Sequence, residues 1–161
     1  MVHRGIATLA GLLMFCFFLL SHLEPDFFLL HLYQSLIYLV IILMLFYLED
    51  QYAYMLGMLA PAAWLILSML TGITGMALRQ VWWIIRPPYP GHHVDNVAIM
   101  AAITTVLAIM MIGFCAQRWK HEFAGLGKGA HTFFVSLGVI VVYYGVLVFW
   151  FTKSIGPRGT P

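Results

Sequence analysis

The chain is divided by short polar segments into five long apolar stretches. A membrane-spanning helix needs about 20 apolar residues to cross the hydrocarbon region, and each stretch is close to that length or exceeds it. The pattern therefore predicts an all-α integral membrane protein: a polytopic bundle of about five transmembrane helices, forming a single transmembrane domain over residues 1–161. The predicted spans are residues 5–23, 27–48, 52–78, 94–115 and 130–151.

The polar segments between the first three spans are short enough to predict how those helices are connected. Glu24, Pro25 and Asp26 form the first turn, because proline is tolerated at the start of a helix and carboxylates favour its positive end. Residues 49–51 separate the second span from the third, so these two helices are expected to form an antiparallel hairpin. Pro61 lies inside the third span, where it removes a backbone hydrogen bond and predicts a bend.

The segment after the third span combines arginine with tryptophan. Arg79 and Arg86 frame a stretch that contains Trp82 and Trp83, and these residue types favour the headgroup level of a membrane. The same segment also fits the emerging end of a long, tilted third helix, and the sequence leaves both interpretations open. Residues 87–91 contain three prolines and a glycine, which end any helix.

Composition supports the membrane assignment and excludes one class of partner. Hydrophobic residues make up 63% of the chain and charged residues 9%, and the mean hydropathy is +0.94, far outside the usage of soluble domains. The lipid bilayer is therefore the expected environment. The net charge of +2, with its basic residues scattered, argues against nucleic acid as a partner. Cys16 and Cys115 lie in apolar stretches, so no disulfide is expected.

Basic residues leave the orientation nearly balanced, because a five-span topology places four Lys and Arg on each side of the membrane. The first helix usually dominates, and its flanking positive residue, Arg4, precedes it. We therefore expect a cytoplasmic N-terminus and an outer C-terminus. No small-residue cleavage pattern follows Leu20, so the first helix is expected to remain uncleaved, which fits a bacterial inner membrane.

The second span has an unusual polar face. His31, Gln34 and Tyr38, together with Ser35, fall at helical spacing and line one side to about mid-membrane depth. A polar stripe in lipid must face protein, water or a ligand, and these groups are suited to ligating the iron of haem b or hydrogen-bonding a quinone. The alternative is that they satisfy one another and neighbouring helices as interhelical hydrogen bonds.

A second candidate site groups histidines at the predicted outer side. His22, His92 and His93 are suited to copper or zinc, and Glu24 and Asp95 lie near them in sequence. The spacing does not favour this interpretation, because no HxxxH or HxxE pair sits on one helix. The prediction is therefore a metal site at His22, His92 and His93, of which His92 and His93 follow a Pro/Gly loop whose position the sequence does not give.

Small residues predict where helices approach closely, since lipid gives little advantage to packing leucine against leucine. Such residues cluster toward one side of the third span and of the fourth. Gly138 and Gly145 stack on one side of the fifth span and predict contact with the bundle or with another protein. The first two sets are Gly57, Ala60, Pro61, Ser68, Gly72 and Gly75, and Ala98, Ala101, Ala102, Thr105 and Ala108.

The sequence is compatible with three functions. Short loops and the absence of GxSxG, HExxH and phosphate-loop motifs favour a non-catalytic or accessory subunit of a larger membrane complex, in respiratory or photosynthetic electron transfer. Such a chain would have other membrane subunits as partners and would not be an enzyme on its own. The alternatives are a redox protein that binds haem b or quinone through His31 and a second histidine, His92 or His93, and an oligomeric channel or carrier lined by His31, Gln34 and Tyr38.

Overall fold

The computed structural model describes residues 3–47, 50–86, 95–123 and 129–155. Those residues are helical apart from short connections, and they include no strand. A short 3-10 turn, Pro25–Phe27, joins the first two helices. The helices are α1 (His3–Leu23), α2 (Phe28–Phe46), α3 (Asp50–Leu70), α4 (Ile73–Ile85), α5 (Asn96–Phe123) and α6 (Gly129–Ile155).

Five of these helices, all except α4, are long and apolar enough to cross a membrane. The predicted all-helical architecture with five spanning helices is confirmed to that extent. The fourth predicted span differs at its end, because α5 continues to Phe123 instead of stopping at residue 115. Its last turns carry Arg118 and Lys120, and an intact helix keeps their backbone groups hydrogen-bonded as the chain leaves the apolar region.

The predicted continuous span 52–78 is wrong, because two helices replace it. Helix α3 ends at Leu70, and Gly72 adopts the left-handed conformation at φ +79°, which L side chains rarely adopt. The Gly72 N–H bonds to the carbonyl of Met69 at 3.2 Å, closing the helix tightly. With 21 residues, α3 is about 31 Å long and already matches the hydrocarbon thickness. The Arg–Trp segment therefore belongs to a separate helix, α4, of 13 residues.

Contacts between distant residues establish which helix ends lie together. At one end, Gln51 of α3 donates to the hydroxyl of Thr132 of α6 at 2.7 Å, and Tyr54 lies 6.2 Å from Phe123 between ring centroids. The opposite end brings together the end of α1 and the starts of α2, α4 and α5 around one cavity. We call it the cavity end. The predicted α2–α3 hairpin is confirmed, because these two helices are packed neighbours.

Within the core, which is shared by α1, α2, α3, α5 and α6, helices α3 and α5 approach closely. Gly57 faces the buried side chains of Met111 and Cys115, and a Cβ atom at Gly57 would lie 2.6 Å from the Cys115 Sγ. The predicted small-residue face is confirmed in part on α5, where Ala98, Ala101 and Ala108 are buried and Ala102 and Thr105 are half-buried.

On α3 the predicted face is confirmed only in part. Ala60, Pro61 and Ser68 are buried there. Gly72 and Gly75 are exposed and lie outside the contact, because the helix has already ended at Leu70.

Candidate functional site

His31 is held near the start of α2 by two polar neighbours. Its Nε2 lies 2.9 Å from a carboxylate oxygen of Glu24, and its Nδ1 lies 3.4 Å from the amide oxygen of Gln34. Glu24 and His31 are seven residues apart, about two helical turns, so the 3-10 turn brings the carboxylate over the imidazole ring. The His31 side chain is 12% exposed and that of Glu24 33%. The pair therefore connects the bundle interior with its surface.

The tautomer of His31 determines how this pair is used. In the neutral ring one nitrogen donates and the other accepts, whereas both donate in the imidazolium. Donation from Nε2–H to Glu24 leaves Nδ1 as an acceptor, which the Gln34 amide satisfies by turning its NH₂ group toward it. In the imidazolium form, one ring N–H donates to the Glu24 carboxylate and the other donates to the Gln34 amide oxygen. Both ring nitrogens of His31 thus have a hydrogen-bond partner in this arrangement.

The cavity beside His31 has a volume of about 220 Å³ and lies between α1, α2, α3, α4 and α5. Four polar residues from three parts of the chain converge on it, and aromatic and aliphatic side chains form the rest of the wall. The cavity wall is therefore mostly apolar with a few polar groups, the composition typical of a small-molecule site. The polar residues are Glu24, His31, Gln34 and Asp95, and the aromatic ones are Phe17 and Trp64.

Tyr38, the third member of the predicted polar face, does not line the cavity. It is fully buried one level deeper on α2, and its ring stacks on Phe17 with 5.7 Å between centroids. Phe17 itself belongs to the cavity wall. Among the described residues the Tyr38 hydroxyl has no hydrogen-bond partner. The structure therefore brings His31 and Gln34 into the cavity and places Tyr38 in the core.

The sequence assigned Glu24 and Asp95 to a different site from the one they occupy. Both were grouped with histidines as potential metal ligands, and both line the cavity around His31. Asp95 also starts α5, because one of its carboxylate oxygens accepts from the backbone N–H of Val97 at 2.9 Å. Trp64 reaches the cavity from the end of α3, and no local pattern indicates this, because the contact joins residues far apart in sequence.

The predicted metal site gains no support from the described residues. His22 is exposed, and its ring packs against Phe18 at 5.3 Å between centroids, away from the cavity. Within the described ranges no three His, Cys, Asp or Glu side chains form a group able to hold a metal ion. His92 and His93 lie outside the described residues, so their part of the prediction stays a prediction.

Ligation of haem b by two histidines would need a second histidine beside His31. Among the described residues no other histidine lines the cavity, and His92 and His93, the second ligands considered for haem b, lie outside those residues. The volume is also below the range of about 300–1,000 Å³ typical of cofactor pockets. A single substituted ring suits the space better than a porphyrin.

A second apolar recess lies between α2 and α6. It has a volume of about 330 Å³, its wall includes Leu36 and Val146, and Leu30 lines both this groove and the cavity. Beside it, Tyr33 and Tyr143 stack at 4.4 Å, and each hydroxyl donates to the other residue's backbone carbonyl. This tyrosine pair joins two helices that otherwise touch little. The groove opens at the surface of the bundle, and its lining is almost entirely apolar.

Comparisons with protein-family models, curated proteins and solved structures find no match to this chain.

Proposed function

We propose that this protein binds a quinone or quinol in the cavity beside His31, with the ring in the cavity and the apolar tail in the membrane. The observation that carries the proposal is the pairing of His31 with Glu24 at 2.9 Å on the wall of a mostly apolar cavity. Ionisable side chains held together at an apolar cavity of a membrane protein commonly mark a functional site, so this pair favours a ligand site.

The chemistry of the wall matches both ends of such a ring. A quinol hydroxyl donates to His31 or Glu24, and the Gln34 amide donates to a quinone carbonyl. Trp64 and Phe17 supply aromatic surface for the ring, and aromatic groups prefer offset or edge contacts with each other. The hydroxyl proton has an acceptor within the site, and Glu24, one-third exposed, connects that acceptor with the surface.

The apolar tail has a path on the same side of the bundle. Leu30 separates the cavity from the groove between α2 and α6, and a chain passing this side chain enters apolar surroundings directly. Burial of a methylene group contributes about 0.8 kcal/mol, so a few carbons in the groove add substantially to affinity. Ring recognition and tail burial are therefore supplied by adjoining surfaces.

The test is titration of the purified protein in detergent micelles with decylubiquinone, a quinone with a short tail, followed by quenching of tryptophan fluorescence. His31→Phe keeps a ring and removes both nitrogens. Loss of a hydrogen bond to a charged or polarised group costs about 1.5–3 kcal/mol, so affinity should fall tenfold or more. His22→Phe is the matched control, because His22 is a neighbouring histidine that is exposed outside the cavity.

A second pair of variants separates the site from general charge effects. Glu24→Gln should weaken binding, because the carboxylate that accepts from His31 is replaced by a neutral amide. Asp26→Asn, two residues away and exposed, removes the same charge without touching the cavity and should leave binding unchanged. Equal affinity in wild type, His31→Phe and Glu24→Gln would contradict the proposal.

A second function, the accessory subunit of a larger membrane complex in electron transfer, is favoured by α6. Gly138 and Gly145 lie on its exposed side, and a Cβ atom at either position would meet nothing within 4 Å. The sequence predicted that these glycines contact either the bundle or another protein. Among the described residues, no contact of the two glycines with the bundle is found. A helix of a partner subunit would fit that surface closely. Extraction in a mild detergent followed by native mass spectrometry should recover a stoichiometric partner, and Gly145→Leu should release it.

The oligomeric channel or carrier has less support. His31 and Gln34 face a cavity within one chain, and Tyr38 is stacked in the core, so the three do not form a face between copies.

For the location of the protein, we propose a bacterial inner membrane, with the N-terminus in the cytoplasm and the cavity end outside. It is supported by Arg4 before the first helix. Reporter fusions at both termini test it, and a cytoplasmic C-terminus would reverse it.

A further inference from the structure

Helix α4 differs from the five spanning helices in length and in the arrangement of its side chains. Its 13 residues extend about 20 Å, well short of the hydrocarbon thickness of about 30 Å. It nevertheless exposes large apolar residues, among them Leu78 at 66% and Ile85 at 68%. A short helix with such a surface is suited to lie at the membrane interface, where an apolar side meets acyl chains and a basic side meets headgroups.

The helical positions divide α4 into three sides. At roughly 100° per residue, Ala77 and Gln80 fall on one side, and both are buried against the bundle. The exposed apolar residues Leu78 and Ile85 fall on a second side, seven positions apart. Arg79 and Arg86 are also seven positions apart. They fall on a third side of the helix, which is turned away from the bundle. The same helix thus contacts protein, hydrocarbon and a polar layer at once.

The third side presents two guanidinium groups held over indole rings. The Arg79 guanidinium carbon lies 5.6 Å from the centroid of Trp83, and that of Arg86 lies 5.3 Å from the centroid of Trp82. Stacking on an aromatic face restrains the guanidinium and leaves its N–H groups pointing outward in the ring plane. Neither arginine has a carboxylate partner among the described residues. Both are therefore fixed cations with free donors.

We propose that these four residues, Arg79, Trp82, Trp83 and Arg86, form a binding surface for the phosphate groups of anionic phospholipids. Charge complementarity selects this occupant, because planar guanidinium groups bind phosphate oxygens with two parallel hydrogen bonds. The adjoining exposed apolar side, with Leu78 and Ile85, supplies a surface for the acyl chains of the same lipid. Tryptophan at the interface places the arginines at phosphate depth. The surface lies on the opposite side of α4 from the bundle and does not depend on the quinone site.

The test is native mass spectrometry of the purified protein in micelles that contain phosphatidylglycerol or phosphatidylcholine. Wild type should retain phosphatidylglycerol in preference to phosphatidylcholine. Each basic residue near a membrane surface contributes a factor of about five to binding, so Arg79→Gln/Arg86→Gln should weaken retention by about 25-fold. The matched control is Arg4→Gln/Lys120→Gln, which removes the same charge from exposed positions at other helix ends and should keep retention within twofold.

A charge-preserving variant separates phosphate recognition from simple attraction. Arg79→Lys/Arg86→Lys keeps both charges and loses the planar fork, so its retention should fall between that of wild type and the glutamine variant. It also serves if the glutamine variant fails to fold. The proposal would be overturned if the control variant lost as much phosphatidylglycerol retention as the glutamine variant. It would also be overturned if the lysine variant retained phosphatidylglycerol as well as wild type does. Displacement of phosphatidylglycerol by inorganic phosphate would also overturn it, by indicating a site for a free anion.

Discussion

Replacement of Gly57 by alanine tests the packing on which the bundle rests. A Cβ atom at this position would lie 2.6 Å from the Cys115 Sγ and 3.2 Å from the Met111 Cε. Favourable contacts between carbon atoms occur at about 3.5–4.0 Å, so the new methyl group would lie about 1 Å too close to sulfur. Cys115 and Met111 are both fully buried, which leaves little room for either to move. The helices α3 and α5 must therefore separate or repack.

The magnitude follows from two opposing contributions. Overpacking by one methyl group in a close-packed core costs about 1–3 kcal/mol. Alanine in place of glycine within a helix returns up to about 1 kcal/mol. The difference is about 0–2 kcal/mol, so the net loss expected for Gly57→Ala is about 1 kcal/mol in the free energy of unfolding. It is measured by loss of helical circular dichroism in mixed micelles of mild detergent and SDS.

Two variants make this prediction specific. Cys115→Ala removes the sulfur that the new methyl group meets, so the double variant should be more stable than the sum of the single changes predicts, by about 1 kcal/mol. Gly138→Ala makes the same substitution where nothing lies within 4 Å, and it should leave stability unchanged or slightly higher. If Gly57→Ala proved as stable as wild type, or if Cys115→Ala gave no rescue, the close approach of α3 and α5 would be refuted.

Two further substitutions test the break after α3 and the tyrosine pair. Gly72→Ala forces a side chain into the left-handed conformation at φ +79° and should cost about 1–2 kcal/mol in thermal unfolding, whereas Gly75→Ala, in a helical conformation, should not destabilise. A continuous helix through residue 72 would instead make both changes stabilising. Tyr143→Phe removes the hydroxyl that donates to the Tyr33 carbonyl and should cost about 0.5–1.5 kcal/mol by the same assay; Tyr47→Phe, at an exposed tyrosine, is its control, and equal stability of the two variants would contradict the pairing.

Two glycines of one apolar stretch show how much the local sequence pattern can predict. One lies where α3 approaches α5, and the other lies at the break after α3. Gly57 and Gly72 look alike in sequence, and both were assigned to the same packing face. Gly57 does lie against α5, because Cys115 and Met111 occupy the space that a side chain would need. Gly72 ends the helix with positive φ. A glycine permits both uses, and only its neighbours in space distinguish them.

In the candidate site too, the sequence pattern predicts the position of some residues and not of others. Helical spacing alone places His31 and Gln34 on one side of α2, and the structure brings both to the cavity. Tyr38 has the same spacing, yet it is stacked on Phe17, because its depth along α2 places it opposite the middle of α1. Glu24 joins His31 through the geometry of a 3-10 turn, which residue types near it do not specify.

By itself the sequence determined that this chain forms apolar helices of membrane-spanning length. That property is local, because a backbone in hydrocarbon must satisfy its own hydrogen bonds and about 20 apolar residues are needed to cross. The tertiary structure alone decided which polar groups meet. Trp64 from α3 and Asp95 before α5 reach the cavity beside His31 through contacts between residues more than 30 positions apart in sequence. Such contacts depend on how whole helices pack, and no short pattern along the chain encodes that packing.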